Sequence, residues 1–124
     1  MKVAIPINRP REGGDYRVSS HFGKAFGFLI VDTESGEKRF VENPRNSLKL
    51  THGAGKLIAQ LFEREGISAV LLKEIGRGAF KHLKERGIEI YLIPKEVKEA
   101  DKVLKMFKER KLAILEAPNE EETH

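Results

Sequence analysis

The apolar positions of this chain follow two different rhythms. Residues 3–7 (Val-Ala-Ile-Pro-Ile) form a short apolar run that predicts a buried strand. Residues 8–15 place Pro10, Gly13 and Gly14 among polar residues and predict a loop. A second strand is expected over residues 26–32, a turn containing Gly36 after it, and a third strand over residues 37–42, so that the two form a hairpin. Asn43 and Pro44 end the alternation.

The second rhythm is helical. Ala54, Leu57, Ile58, Leu61 and Phe62 recur as the stripe of an amphipathic helix. Gly66 stands where such a helix takes a left-handed residue. Residues 67–72 read as a buried strand with almost no polar face. Ile75, Ala79, Phe80 and Leu83 mark a second helix stopped by Gly87, and residues 88–93 a strand closed by Pro94. Val97, Ala100, Leu104 and Phe107 predict a third helix over residues 96–109, and residues 112–115 a last short element. The acidic residues 116–124 are expected to fray as a disordered tail, leaving one α/β domain over residues 1–115.

The order is a β-meander followed by two βα units, which predicts a mixed five-stranded sheet with helices on both faces. If the first strand points up, residues 19–25, 43–55, 73–78 and 94–95 all reach the top edge. That edge lies outside the carboxyl ends of the parallel strands, where open α/β sheets bind ligands.

Composition narrows the chemistry. The 124 residues suit one domain and contain no Cys, which excludes disulfides, thiolate metal ligands and thiol nucleophiles. A net charge of +4 suits an anionic ligand without demanding nucleic acid. The chain is 34% charged and poor in Gln and Asn, as high-temperature proteins are, so a thermophilic source is expected. No apolar stretch approaches the ~20 residues of a membrane span, and no signal-peptide pattern opens the chain. A cytoplasmic protein with no membrane partner is expected.

Three segments of the top edge carry candidate chemistry. In Ser19-Ser20-His21-Phe22-Gly23-Lys24, His21 could present imidazole to a metal centre or anion, or simply bond to local backbone. In Thr51-His52-Gly53-Ala54-Gly55-Lys56, Gly53 and Gly55 could bare N–H groups as an anion cradle beside His52; the alternative is a Thr51 cap with glycines for close packing. In Ile75-Gly76-Arg77-Gly78-Ala79-Phe80, Gly76 and Gly78 open a second helix, and Arg77 could add a guanidinium; the alternative is a tight βα turn. P-loop spacing is absent. Arg9, Arg11 and Arg17 read as a solvated basic rim and His82 as a solvated helix residue. The chain has three Asp, with Asp32 and Asp101 expected away from the top edge, so no carboxylate cluster for two-metal hydrolysis is apparent; adjacency of Ser20 and His21 is not a triad, and no catalysis is expected.

Together with Val3-Ala4-Ile5-Pro6-Ile7 and Glu42-Asn43-Pro44, these motifs resemble the dinitrogenase iron–molybdenum cofactor biosynthesis family over roughly residues 1–110. The resemblance implies a ribonuclease-H-like three-layer α/β/α fold with strand order 3-2-1-4-5. It implies a small non-catalytic carrier that transiently binds an iron–sulfur or iron–molybdenum cluster and exchanges it with a donor or acceptor protein. By position, His21, Gly23, His52, Gly53, Gly55, Gly76, Arg77 and Gly78 would line the ligand edge, with His21 and His52 as metal ligands. A metal-free anion- or phosphate-binding module with a regulatory or adaptor role is the alternative. Two departures stand out. Lys73-Glu74 occupy positions where many relatives have Gly-Gly, and residues 10–16 expand the first loop.

Overall fold

The apolar runs become strands within one residue of their expected ends. In the computed structural model, which describes residues 1–47 and 53–120, β1 spans Lys2–Ile7, β2 Gly27–Asp32, β3 Lys38–Glu42, β4 Ile67–Leu72 and β5 Glu89–Leu92. β1 pairs antiparallel with β2 and parallel with β4, and β4 pairs parallel with β5. The expected order 3-2-1-4-5 is present, but the sheet is larger than five strands. β6, Ala113–Ile114, adds an antiparallel edge, giving the order β3-β2-β1-β4-β5-β6. Two paired residues are too few to show a period in sequence, which is why this element had no assigned type.

Side chains alternate across the sheet as strand geometry requires. Phe28, Ile30, Val70, Leu72 and Ile90 face one core with Ile58, Phe62 and Leu83 of α1 (Ala54–Glu65) and α2 (Arg77–Glu85). Val3, Ile5, Leu29, Val31, Leu71 and Ile93 face the other with Val103 and Leu104 of α3 (Ala100–Lys108). The result is three layers. Gly66 ends α1 at φ 73°, the left-handed conformation its position predicted.

The third helix starts later than residue 96. The carbonyl of Lys98 accepts the Val18 N–H at 2.9 Å, and the Ala100 N–H donates to the Tyr16 carbonyl at 3.0 Å. The backbone of residues 98–100 is therefore paired with residues 16–18, and the Val97 N–H turns back to the Pro94 carbonyl, so the helix starts only at Ala100.

Within the segment expected to fray, Asn119 and Glu120 are hydrogen-bonded. The side chain of Asn119 accepts the Ile75 N–H at 2.9 Å and donates to the Lys73 carbonyl at 2.7 Å. The N–H groups of Asn119 and Glu120 both donate to the Ile75 carbonyl. Residues 119–120 are thus docked on the turn that follows β4, and residues 121–124 lie outside the described residues.

Candidate functional site

The top edge is built from buried anchors outward. Phe22 is 2% exposed and packs its ring against Phe28 at 5.6 Å and Phe62 at 6.0 Å. This plug fixes the loop to the core and leaves the neighbouring His21 side chain about half exposed at the rim. The His21 N–H donates to Oγ of buried Ser19 at 3.1 Å. Asn43, buried at 1% exposure, donates from Nδ2 to the carbonyls of Gly23 and Ala25 at 3.1 and 2.9 Å. A buried amide must find partners; here it does so by clamping the His21 loop onto the end of β3. Asn43 is a positioning residue whose place in the motif was visible but whose task was not.

The two helix N-termini meet. Gly53 caps α1 at φ 90° and Gly76 caps α2 in an extended conformation, and no side chain caps either end. A Cβ on Gly55 would stand 2.7 Å from Ala79 Cα. Gly55 therefore permits close packing of α1 on α2, which sets the helix starts side by side. Gly78 faces open space. Each helix start carries roughly half a positive charge, and its first N–H groups have no partner within the helix.

His21, Gly23, Gly53, Gly55, Gly76, Arg77 and Gly78 all sit on elements that begin or end at this edge. His52 lies outside the described residues. The Lys73-Glu74 departure resolves into two roles. Lys73 donates to the Lys95 carbonyl at 3.1 Å, and burial together with the Lys98 ammonium pulls its pKa below the usual lysine value, against the opposing effect of Glu96. Glu74 meets His21, with Oε2 3.9 Å from Nδ1. Glu120, on the docked segment, brings its carboxylate against Gly76, where a Cβ would meet it at 2.7 Å. Sequence reasoning missed Asn119 and Glu120 at this edge. His82 also departs from expectation: it is half-buried, and its Nδ1 has no hydrogen-bond partner among the described residues.

Two clefts of the described surface lie elsewhere. One of about 460 Å³ is lined by Gly36, Lys38, Asp101 and Lys108, and one of about 640 Å³ by Met1, Thr33, Tyr91 and Ile114, both at the opposite end of the strands. At the top edge the side chains of His21 and Glu74 are about half exposed and reachable from outside.

The model of the family described as dinitrogenase iron-molybdenum cofactor matches residues 1–110. The chain belongs to this family. An uncharacterised protein of Methanocaldococcus jannaschii is 35% identical over 120 residues, 94% of this chain and 92% of the relative. Among solved structures, the apo form of the orange protein from Desulfovibrio gigas superposes with a TM-score of 0.85 at 27% identity, covering 96% of both chains. A Thermotoga protein named after NifB superposes at 0.79 with 30% identity over 98% of both chains. The fold of this family member is therefore shared along nearly the whole chain.

Proposed function

We propose that this family member is a small cytoplasmic carrier, without catalysis, that transiently holds an anionic iron–sulfur or iron–molybdenum cofactor precursor at the top edge of a ribonuclease-H-like scaffold. The observation that carries the reading is the side-by-side placement of two helix N-termini near an exposed imidazole, in a chain of this family. Helix ends attract an anion through oriented N–H groups, and Arg77 at the head of α2 adds positive charge. With no Cys in the sequence, ligation falls to imidazole: His21 at the rim and His52, the second imidazole that the sequence offers. Two imidazoles hold a cluster more loosely than four thiolates do, and a carrier has to release its cargo to an acceptor protein.

The carboxylates of Glu74 and Glu120 oppose an anion at the same place. Cargo uptake then requires the docked C-terminal segment to lift, since Glu120 occupies the cradle at Gly76. Anaerobic exposure to a preformed cluster should give a charge-transfer absorption band. His21→Ala and His52→Ala should each weaken it, and a chain ending at residue 118 should load more readily. Undiminished loading in the doubly substituted protein would refute imidazole ligation and leave a simple anion cradle dependent on Gly78 and Arg77.

A further inference from the structure

Three side chains from distant parts of the sequence converge at the rim: His21 from the first loop, Glu74 from the β4–α2 turn and Glu120 from the docked segment. One ligand atom from each lies within 4.8 Å of the other two. Hydrogen bonds fix the backbone at each of them, and those at Glu74 and Glu120 join the two segments to each other. Ser19 Oγ fixes the His21 N–H, the Glu120 N–H donates to the Ile75 carbonyl at 3.1 Å, and Asn119 bonds the backbone on either side of Glu74, at Lys73 and Ile75. The His21 and Glu74 side chains remain 51% and 44% exposed, so the cluster is reachable from solvent.

Two carboxylates brought this close repel each other, and a cation between them relieves the repulsion. One imidazole and two carboxylates form a nitrogen–oxygen donor set that suits zinc, manganese or iron. Zinc binds such donors at about 2.0–2.2 Å, which places neighbouring donors roughly 3–3.5 Å apart. Rotation about the glutamate side-chain bonds is enough to close the observed spacing. Three protein ligands leave a further coordination position open, as catalytic and exchangeable zinc sites do.

We infer that His21, Glu74 and Glu120 form a binding site for a divalent first-row transition cation, with the C-terminal segment supplying the third ligand. The inference does not rest on the carrier reading, because it needs a cation where the cargo is an anion. It also gives the Lys73-Glu74 departure a chemical role: a carboxylate is installed beside the rim histidine. Binding of the cation fixes residues 119–120 over the start of α2.

The test is titration of the full chain with Zn²⁺ alone, followed by calorimetry, with thermal melting in parallel. The expected result is one ion per chain and a melting temperature raised by zinc. His21→Ala, Glu74→Gln and Glu120→Gln should each lower affinity by at least about tenfold, the loss that even an outer-shell partner can cause. Glu96→Gln, a carboxylate change at the same end outside the triad, should leave affinity unchanged, as should ending the chain at residue 120. Circular dichroism establishes that each variant is folded. Wild-type affinity in both glutamine variants of the triad, or loss of binding when only residues 121–124 are removed, would overturn the site. Neither glutamate is needed for anionic cargo, so cluster loading by Glu74→Gln and Glu120→Gln separates failure of this site from failure of the carrier reading.

Discussion

Replacing Asn119 by Ala tests whether the C-terminal segment is pinned as its hydrogen bonds imply. The side chain closes a ring with the chain 44 to 46 positions earlier: it accepts from Ile75 at 2.9 Å and donates to Lys73 at 2.7 Å. Each such bond is worth about 0.5–1.5 kcal/mol net, so the pair contributes about 1–3 kcal/mol. Ile75 is fully buried, and its N–H would need another partner or water. Against this, each residue that lifts regains about 1–2 kcal/mol of backbone entropy. Lifting of residues 119–120 also sacrifices their own bonds to the Ile75 carbonyl. The losses and the entropy nearly cancel for the segment itself, so the global effect should be about 1–2 kcal/mol, a fall of a few degrees in melting temperature. The local effect should be larger. Hydrogen exchange at the Ile75 amide, followed by NMR, should accelerate strongly in Asn119→Ala while the amides of β1 and β4 stay protected. Unchanged protection at Ile75 together with an unchanged melting temperature would refute the docking.

Other substitutions probe the supports of the edge. Phe22→Ala should cost about 3–5 kcal/mol in chemical denaturation, because the ring packs on both Phe28 and Phe62; a loss under 1 kcal/mol would mean that the loop is not anchored there. Gly55→Ala should destabilise by about 1–3 kcal/mol through overpacking, since the new Cβ falls 2.7 Å from Ala79 Cα; the helix propensity of Ala alone predicts a gain, so stabilisation would contradict the close packing. Asp32 accepts the N–H groups of Glu34 and Ser35, which hold its carboxyl below its ordinary value of 3.8. Stability from a depressed carboxyl is present above the unfolded pKa and is lost as pH falls through the folded one. Asp32→Ala should therefore be less stable than wild type at neutral pH, with the gap narrowing below pH ~3.8; a gap independent of pH would contradict the cause given.

The strands and the sheet order were legible because they rest on period and chain direction. β1, β2 and β4 bury side chains on both faces, so their runs are almost wholly apolar, and the meander followed by βα crossovers leaves few arrangements. The start of α3 was not legible, because Val97 continues the helical stripe while the backbone of residues 98–100 is claimed by Tyr16 and Val18. Nor was the docking of residues 119–120: it rests on the Asn119 side chain and the two backbone N–H groups bonded to backbone far away in sequence, and no local pattern records that. At the site, the topology alone brought the His21 loop and the start of α2 to one edge. The approach of Glu74 to His21, the clamp by Asn43 and the approach of Glu120 are long-range side-chain contacts, which spacing does not encode.

The central claim is that the loop-built top edge, and not the clefts at the opposite end, receives the cargo. Backbone amide spectra of labelled protein recorded anaerobically during titration with a paramagnetic iron–sulfur cluster test it most directly. The account predicts that the signals of His21, Gly23, Gly53, Gly76 and Gly78 broaden or shift first, while Gly36, Lys38, Asp101 and Lys108, which line a cleft at the other end, stay sharp. Broadening confined to those cleft residues, with the glycines of the top edge unaffected, would contradict it.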